Sequence, residues 1–339
     1  MSPLFALAKQ RVTDVLRNPA STTFFLALPI LFLLLFALVF PNGHPFELKA
    51  IDVVDASGSS ALIDKLKAFP ELRVKQVMAS RTIMLDRLRV RSINAAVIKD
   101  DAGKWNILVG PNDHLLALGL QNILGENAST TVVETPHWGY VYFLFPGLLT
   151  FSVLFAGLYA MGYTMVQYRE NLFLKKLKTT PLSPLTFVLA QILGRSVLVT
   201  LQVALLIAVA VIGFSLPVAP EALLTIALLS VLGMFAFSSI GFLLACLIRN
   251  ESLMGDIISA IPLPIALLSG MFFTIDALPL PLQKLGAVLP STMMVDAVRE
   301  ALFYSASLTA IWPQAVSMLA WGIILFGISL FLFRWDAHS

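Results

Sequence analysis

Six long apolar runs alternate with polar segments along the 339-residue chain. They predict transmembrane helices at residues 21–40, 138–165, 185–213, 222–248, 253–274 and 312–333. Each run is long enough to cross a hydrocarbon core of ~30 Å as an α-helix. The pattern therefore predicts an α-helical polytopic membrane protein, with residues 138–339 forming a five-helix transmembrane domain.

Residues 1–20 are predicted to form an amphipathic helix on the cytoplasmic leaflet. Between residues 3 and 18, apolar and polar side chains fall on opposite halves of a helical wheel. The apolar half holds Leu4, Phe5, Leu7, Ala8, Val12, Val15 and Leu16. The run at 21–40 has no small-x-small cleavage pattern after it, so we expect a retained signal-anchor helix.

Residues 41–137 have a different, mixed pattern. Alternating apolar and polar positions favour strands at LKAIDVVD, LRVKQVM, INAAVIKD and KWNILVG, the last two as a hairpin. Helical spacing favours helices at SSALIDKLKAF, at RTIMLDRLRV and over about 113–125. We therefore expect a small inserted α/β domain of βαβαββα order. Its eleven basic and eleven acidic residues are balanced, which argues against nucleic-acid binding.

The distribution of cations predicts the orientation. Short segments on one side of the spans hold nine Lys or Arg: Lys9, Arg11, Arg17, Arg169, Lys175, Lys176, Lys178, Arg249 and Arg334. Short segments on the other side hold Lys284 and Arg299. Because short basic loops stay in the cytoplasm, both termini are predicted to be cytoplasmic and the α/β domain extracytoplasmic.

The stretch 169–183, RENLFLKKLKTTPLS, is a polar segment between two apolar runs. Leu172, Phe173, Leu174 and Leu177 recur at roughly helical spacing and oppose the lysines. One interpretation is a short amphipathic helix at the cytoplasmic membrane edge. The other is a solvated basic loop that only fixes topology. Ser183-Pro184 is expected to open the next helix.

Two segments near the end of the chain depart from simple spans. Pro262 and Pro264 lie within the run at 253–274, so we expect a kink or break there. Residues 275–311 are amphipathic but not apolar enough to span, and are predicted to form one or two re-entrant helices in the outer leaflet.

Composition and chemistry exclude several functions. Of the residues in the chain, 58% are hydrophobic and 13% are charged, and this composition excludes a soluble globular protein. It has no nucleotide-binding loop, its four histidines lack ligand spacing, and we expect neither an enzyme nor a metal site. Ion-driven carriers usually have ionisable side chains buried in the membrane. Here Arg195 and Asp256 are the only ionisable residues expected to approach the membrane, so an ion-driven carrier is disfavoured. Arg195 either snorkels or faces the bundle interior, with a substrate contact as the less favoured alternative.

Three groups of residues are similar to one known family. The first is Arg169-Glu170 followed by Leu174-Lys175-Lys176-Leu177 and Thr180-Pro181-Leu182-Ser183. The second is Leu268-Ser269-Gly270-Met271-Phe272-Phe273 with Leu278-Pro279, and the third is Leu289-Pro290 with Val295-Asp296-Ala297-Val298-Arg299. Together they resemble the permease subunits of type-2 ATP-binding-cassette (ABC-2) exporters, in the subgroup with a large extracytoplasmic domain after the first helix.

The resemblance implies a mechanism and partners. Two permease chains, expected as a homodimer with a heterodimer left open, would pair around a path for an amphipathic, lipid-like or drug-like substrate. Separate cytoplasmic ATPase subunits would bind ATP and magnesium, and membrane lipid and a periplasmic adaptor would be further partners. The expected location is the bacterial inner membrane. The alternative function is a membrane-anchored scaffold or sensor that acts through its outer domain.

The resemblance also assigns site residues. ATPase coupling would fall to Arg169, Glu170, Phe173, Leu174, Lys175, Leu177, Thr180, Pro181, Leu182 and Ser183. Phe173, Leu174 and Leu177 would insert into an ATPase groove, while Arg169 and Glu170 lock the segment. The outer family motif would comprise Ser269, Gly270, Pro290, Asp296 and Arg299. The family usually has Gly-Thr where Leu172-Phe173 stand here.

Overall fold

The computed structural model describes most of the chain as two compact units. One unit is Leu34–Leu144, and the other combines Met1–Leu33 with Phe145–Ser339. The described residues are 3–17, 19–39, 49–54, 66, 69, 72–76, 84–85, 88, 93–99, 104–110, 113–125, 128–133, 139–177, 179, 183–216, 218–273, 275, 278–303 and 310–333.

Two helices begin the chain. Helix α1 (Pro3–Leu16) has 14 residues and occupies the predicted amphipathic segment. Helix α2 (Pro19–Val39) has 21 residues and occupies the first predicted span. Both begin with a proline, which is favoured at the first helical position because the missing N–H has no helical acceptor there.

The smaller unit contains a five-stranded mixed sheet. Its strands are β1 (Lys49–Val54), β2 (Leu72–Gln76), β3 (Ala95–Lys99), β4 (Trp105–Val109) and β5 (Ala128–Val132), in the order β2-β1-β3-β4-β5. The predicted hairpin is confirmed, because β3 and β4 pair antiparallel, with Val97 opposite Ile107. The other neighbouring strands pair in parallel.

Apolar side chains from this sheet enter two cores. Helix α3 (His114–Leu124), which follows β4, supplies Leu116, Ala117 and Leu120 to the first core, which also holds Val97 and Ile107. The second core contains Met84, Leu88, Ile93, Ala96 and Leu108. Neighbouring residues on one strand thus enter different cores, as expected for side chains that alternate across a sheet. The fold therefore has an inserted α/β unit, but with a strand, β5, that the pattern did not predict.

The second span forms one long helix with an interruption. Helix α4 (Gly139–Leu158) continues through a π-turn (Tyr159–Tyr163) into α5 (Thr164–Glu170). The predicted end at residue 165 is therefore wrong by about a turn. Arg169 and Glu170 lie in the last turn of this helix, not in the loop that follows it. Helix α6 (Phe173–Leu177) comes next as a separate short helix.

Two long helices form the centre of the larger unit. Helix α7 (Pro184–Phe214) begins at Ser183, whose Oγ accepts a hydrogen bond from the Thr186 N–H at 3.1 Å, as predicted for its N-cap. Helix α8 (Pro220–Leu247) packs against the π-turn. A Cβ on Gly241 would lie 2.8 Å from the Leu158 carbonyl oxygen, so only glycine allows this approach.

The remaining helices complete the bundle. Helix α9 (Glu251–Ala260) is followed by α10 (Pro262–Leu268), and Pro262 interrupts the run, as predicted. This span ends at Leu268, earlier than the predicted 274. Residues 280–303 form two short helices, α11 (Leu280–Val288) and α12 (Pro290–Phe303), within the predicted amphipathic segment. Helix α13 (Trp312–Leu332) packs along α8 through Gly322 and Phe235.

Five helices are long and apolar enough to cross a membrane. Among the described residues these are Val141–Glu170, Leu185–Phe214, Pro220–Leu247, Glu251–Leu268 and Trp312–Leu332. Within α2, Leu26–Val39 counts as a shorter apolar helix. The predicted fold class, a helical polytopic membrane protein with a small inserted α/β unit, is confirmed.

Candidate functional site

Arg169 closes the end of helix α8 from a neighbouring helix. Its side chain is buried, with 8% of its surface exposed. Its Nη2 donates to the Ala245 carbonyl at 2.9 Å and its Nη1 to the Ile248 carbonyl at 3.4 Å. The last carbonyls of a helix lack helical donors and carry partial negative charge. A guanidinium at this point therefore satisfies two acceptors and stabilises the C-terminus of α8.

Whereas Arg169 donates hydrogen bonds at the end of helix α8, Glu170 accepts one at the start of helix α9. Its Oε1 accepts a hydrogen bond from the Glu251 N–H at 2.8 Å. The Asn250 side chain accepts a second from the Leu253 N–H, also at 2.8 Å. A carboxylate at a helix N-terminus is stabilised by the positive end of the helix dipole. Adjacent residues of α5 thus hold both sides of the α8–α9 turn, and we call Arg169, Glu170 and residues 248–251 the turn clamp.

The Glu251 side chain joins the turn clamp to the π-turn. Its Oε1 accepts hydrogen bonds from the Tyr163 hydroxyl at 2.5 Å and from Gln167 Nε2 at 3.2 Å. Sequence reasoning did not identify this group. One signal was available, since Tyr163, Gln167 and Glu170 recur at spacings of four and three and therefore share a helix face.

A residue with positive φ separates α5 from α6. Leu172 has φ +56°, in the left-handed region that side chains other than glycine rarely adopt. Its N–H donates to the Arg169 carbonyl at 3.1 Å, and its carbonyl accepts from the Lys176 N–H at 3.1 Å. Leu172 thereby reverses the chain between the long helix and α6. The resemblance described above implies a glycine at this position.

Helix α6 is attached to the bundle through Leu174. This side chain is fully buried, in a core that includes Met165, Phe187, Val188 and Phe242. Leu177 is half-buried against the same core. The expectation that Leu174 inserts into a partner is therefore corrected, because its whole surface is already covered by its own chain.

The outward face of α6 carries a mixed set of side chains. Phe173 is 42% exposed and packs one side of its ring on Tyr168, with 4.7 Å between ring centroids. Leu172, Lys175 and Lys176 are exposed. Thr180, Pro181 and Leu182, which were predicted to belong to this site, lie outside the described residues.

The residues of the predicted outer motif lie close together just after the C-terminus of α10. Arg299 Nη2 donates to the Gly270 carbonyl at 2.7 Å and its Nη1 lies 3.7 Å from Asp296 Oδ1. Gly270 itself has φ +69°, which favours glycine. The hydroxyls of Ser269 and Ser291 are hydrogen-bonded. Of the five predicted motif residues, Gly270, Asp296 and Arg299 are therefore in mutual contact, and Ser269 contacts Ser291, the residue after Pro290.

Pro290 and Glu300 complete this region. Pro290 is the first residue of α12, and the adjacent Ser291 makes the contact to Ser269. Glu300 accepts a hydrogen bond from Gln314 Nε2 at 3.3 Å. Burial, and secondarily the charge of Asp296, raise the pKa of Glu300. These contacts fix the chain that follows α10 against α12.

Helix α1 is held against α5 and α7. Arg11 donates to the Tyr168 hydroxyl at 3.0 Å and to Thr164 Oγ1 at 3.3 Å. A Cβ on Gly194 would lie 2.9 Å from the Ala8 carbonyl oxygen, so α1 touches the α7 backbone. Of the predicted apolar half, Ala8 is buried, while Phe5 and Leu16 are exposed. Arg11 therefore lies on the face of α1 that packs against α5 and α7, at the boundary between the predicted apolar and polar halves of the helix.

Comparison with known proteins matches the sequence of this chain to one family. A family model described as "ABC-2 family transporter protein" covers residues 20–331, nearly the whole chain. The chain belongs to the ABC-2 transporter family. Together with the apolar helices, this assignment makes it a multi-pass membrane protein.

Curated relatives of this ABC-2 chain are named as transporters. The chain is 28% identical over 174 residues to "Inner membrane transport permease YhhJ" of Escherichia coli, covering 51% of this chain and 46% of the relative. It is 25% identical over 163 residues to "Putative transport permease YvfS" of Bacillus subtilis, covering 48% and 65%. It is 22% identical over 207 residues to "ABC transporter G family member 20" of Dictyostelium discoideum, covering 60% and 28%. The chain thus spans less than two thirds of each relative's length.

Proposed function

We propose that this chain is the permease subunit of an ATP-driven exporter in the bacterial inner membrane. It would move an amphipathic, lipid-like or drug-like substrate out of the cytoplasm or the inner leaflet. The observation that supports this most directly is helix α6, a short helix with exposed Phe173, Lys175 and Lys176 that is anchored in the bundle by a fully buried Leu174. An element with one buried and one exposed face is suited to receive force from a partner and pass it inward.

The turn clamp provides the route by which such a force would reach the spans. Helix α6 follows α5 after a two-residue turn, and Arg169 and Glu170 end α5. These two residues are hydrogen-bonded to the C-terminus of α8 and the N-terminus of α9. A displacement of α6 would therefore move two spanning helices at the turn that joins them. Leu174 acts as a positioning residue in this scheme, and the exposed face of α6 as the contact with the ATPase.

The partners follow from what the chain itself contributes. It carries no nucleotide-binding loop, so ATP and magnesium would bind to separate cytoplasmic ATPase subunits. A second permease copy would complete the path, and we propose a homodimer. A periplasmic adaptor would engage the inserted α/β unit, which we place outside the cytoplasm.

The decisive experiment is copurification with an ATPase. An ABC ATPase identified in a neighbouring reading frame would be co-expressed with the wild type and with the double variant Lys175→Glu/Lys176→Glu, whose two substitutions alter exposed side chains only. We expect the double variant to lose most of the bound ATPase, because the charge of the docking face is reversed. Lys284→Glu, also at an exposed position, is the matched control and should retain the complex. Full retention by the double variant would show that α6 is not the docking element.

A second candidate is a membrane-anchored sensor or scaffold. The observation that favours it is the α/β unit, which has two apolar cores of its own. The test is purification from native membranes. If no ATPase copurifies, but a ligand or protein is found bound to the α/β unit, the result would support the sensor over the permease.

A further inference from the structure

A cavity of about 480 Å³ lies within the larger unit. Residues of α1, α2, α4, the π-turn, α5 and α7 contribute to its walls. Pockets of roughly 300–1,000 Å³ are the usual size for small-molecule sites in proteins. The volume is therefore sufficient for a charged head group and a part of an attached apolar body.

One wall of the cavity is positively charged. It includes Arg195, only 7% exposed, which lies eleven residues after the start of α7, or about 16 Å along the helix axis. Arg11 also lines the cavity, and its stem packs over Gly194, next to Arg195. Asp14 is the one acidic side chain among the described lining residues. Two guanidinium groups against one carboxylate give the cavity a net positive charge.

The position of Arg11 is set by its own contacts. Its hydrogen bonds to Tyr168 and Thr164 fix the guanidinium across the gap between α1 and α5, and it lies 5.9 Å from the Tyr168 ring centroid. These acceptors and the ring are neutral, so the positive charge is oriented but not neutralised by them. An anion in the cavity would supply the missing charge.

Aromatic side chains form another part of the lining. Phe32 and Phe151 meet edge to face, with ring centroids 6.4 Å apart. Tyr159 stacks on Phe155 at 6.4 Å and on Tyr163 at 4.9 Å. Both tyrosines belong to the π-turn, a rare helix distortion that is frequent at functional sites. The cavity therefore combines an apolar surface for a hydrocarbon with guanidinium groups for a head.

We propose that this cavity binds an anionic amphiphile, a molecule with a phosphate or carboxylate head and an apolar body. The head would pair with Arg195 and Arg11, since guanidinium groups bind phosphate and carboxylate oxygens in a bidentate manner. The body would lie on Phe151, Phe155 and Tyr159. This inference rests on the proposed function in one respect, that it names the class of the transported molecule.

The test compares head groups on one apolar tail. The purified full-length protein in a nonionic maltoside detergent would be titrated with dodecyl phosphate, dodecylphosphocholine, dodecyltrimethylammonium and inorganic phosphate. A ligand that binds the folded state raises Tm with concentration, which gives an apparent Kd. We expect dodecyl phosphate to bind at least tenfold more tightly than the other three.

Variants locate the binding in the cavity. Arg195→Gln and, independently, Arg11→Gln should weaken dodecyl phosphate binding tenfold or more, whereas Arg195→Lys should lose less because it keeps the charge. Lys9→Gln removes an exposed cation from the same helix as Arg11 and should bind like the wild type. Because partition of the ligand into detergent is common to all variants, it cancels in this comparison.

Three results would overturn the assignment. They are unchanged binding in both glutamine variants, equal affinity for the phosphocholine head, and equal affinity for inorganic phosphate, which would indicate a site for a free anion. If Arg195→Gln does not fold, Arg11→Gln and Arg195→Lys decide the outcome. A negative result together with normal ATPase copurification would refute this inference and leave the proposed function intact.

Discussion

Leu172 shows what a left-handed backbone conformation costs a residue that has a side chain. A left-handed conformation is disfavoured for side chains with a Cβ by roughly 1–2 kcal/mol relative to glycine. The residue is 52% exposed and lies at the turn between α5 and α6, so its side chain contributes little burial. A glycine here, as the resemblance implies, would therefore relieve a conformational cost that this chain retains.

Replacing Leu172 by glycine is expected to raise the free energy of unfolding by about 1 kcal/mol relative to Leu172→Ala. The alanine variant removes the same side chain but keeps the Cβ, so the difference isolates the backbone contribution. The measurement is thermal unfolding of the purified protein in detergent. Asn171→Gly, at a neighbouring residue with φ −76°, serves as control and should not stabilise. Equal Tm values for Leu172→Gly and Leu172→Ala would contradict the argument.

Residue patterns predicted α6 but not its orientation. The helical spacing of Phe173, Leu174 and Leu177 is visible in the sequence, and so is the opposing lysine pair. Which of the apolar side chains is buried depends on Phe187, from the next helix along the chain, and on Phe242, from a helix distant in sequence. The sequence therefore could not distinguish a face that docks on a partner from one that is buried in its own bundle.

At the scale of secondary-structure elements, the α8–α9 turn is held by residues of a third helix, α5. It is held by Arg169 on the carbonyl side and by Glu170 on the amide side, and neither contact lies within one helix. Opposite charges placed at opposite helix ends are each favourable, and the two act on the same short connection. The stability of the turn should therefore depend on both at once.

A double-mutant cycle of Arg169→Gln and Glu170→Gln is expected to show coupling. Arg169→Gln should destabilise by about 1.5–3 kcal/mol, because buried carbonyls lose a charged donor. Glu170→Gln should cost less, about 0.3–1 kcal/mol, because an amide oxygen still accepts the Glu251 N–H. Contacting residues usually deviate from additivity by at least about 0.5 kcal/mol.

The readout for the cycle is thermal unfolding in detergent, with Lys176→Gln as an exposed control on the neighbouring helix. Additive effects of the two substitutions would mean that Arg169 and Glu170 act on separate structures, contrary to the geometry of the turn clamp.

Elements were predicted well where the hydrophobic signal is long and poorly where it is short. The spans follow from runs of about twenty apolar residues, and the hairpin β3–β4 from strict alternation. Strand β5 has the sequence ASTTV and lies at the edge of the sheet, with Ser129 and Thr131 exposed. Such a strand carries almost no apolar pattern, and its pairing with β4 is a tertiary contact.

Orientation in the membrane is a property of the whole molecule. From the excess of cations on one side, we propose that α6 and both termini are cytoplasmic and that the α/β unit lies outside. Cys246, the single cysteine, is half-buried with its Sγ 3.5 Å from the Ser329 carbonyl oxygen, so a Cys246→Ser background is suitable for labelling.

Single cysteines placed on this background are expected to react from opposite sides. Asn122→Cys on α3 should react with a membrane-impermeant maleimide in intact spheroplasts, because we place this unit outside. Lys175→Cys on α6 should react only after permeabilisation. Both positions are exposed, so reactivity reports the compartment and not burial. The reverse pattern would invert the orientation and remove the basis for an ATPase contact at α6.

The π-turn at Tyr159–Tyr163 has a consequence for how this helix arose. A π-turn has the geometry of a single extra residue accommodated in an α-helix, and one residue corresponds to about 100° of rotation. Because the π-turn absorbs that extra residue, deleting one residue from this segment would restore a regular helix in which Arg169 and Glu170 still face the α8–α9 turn while Phe151 keeps its place, whereas the same deletion in the regular part of the helix would rotate one half by that angle. Relatives that lack the extra residue should therefore carry the same pair of polar residues at the end of this helix, one residue closer in sequence to the position of Phe151.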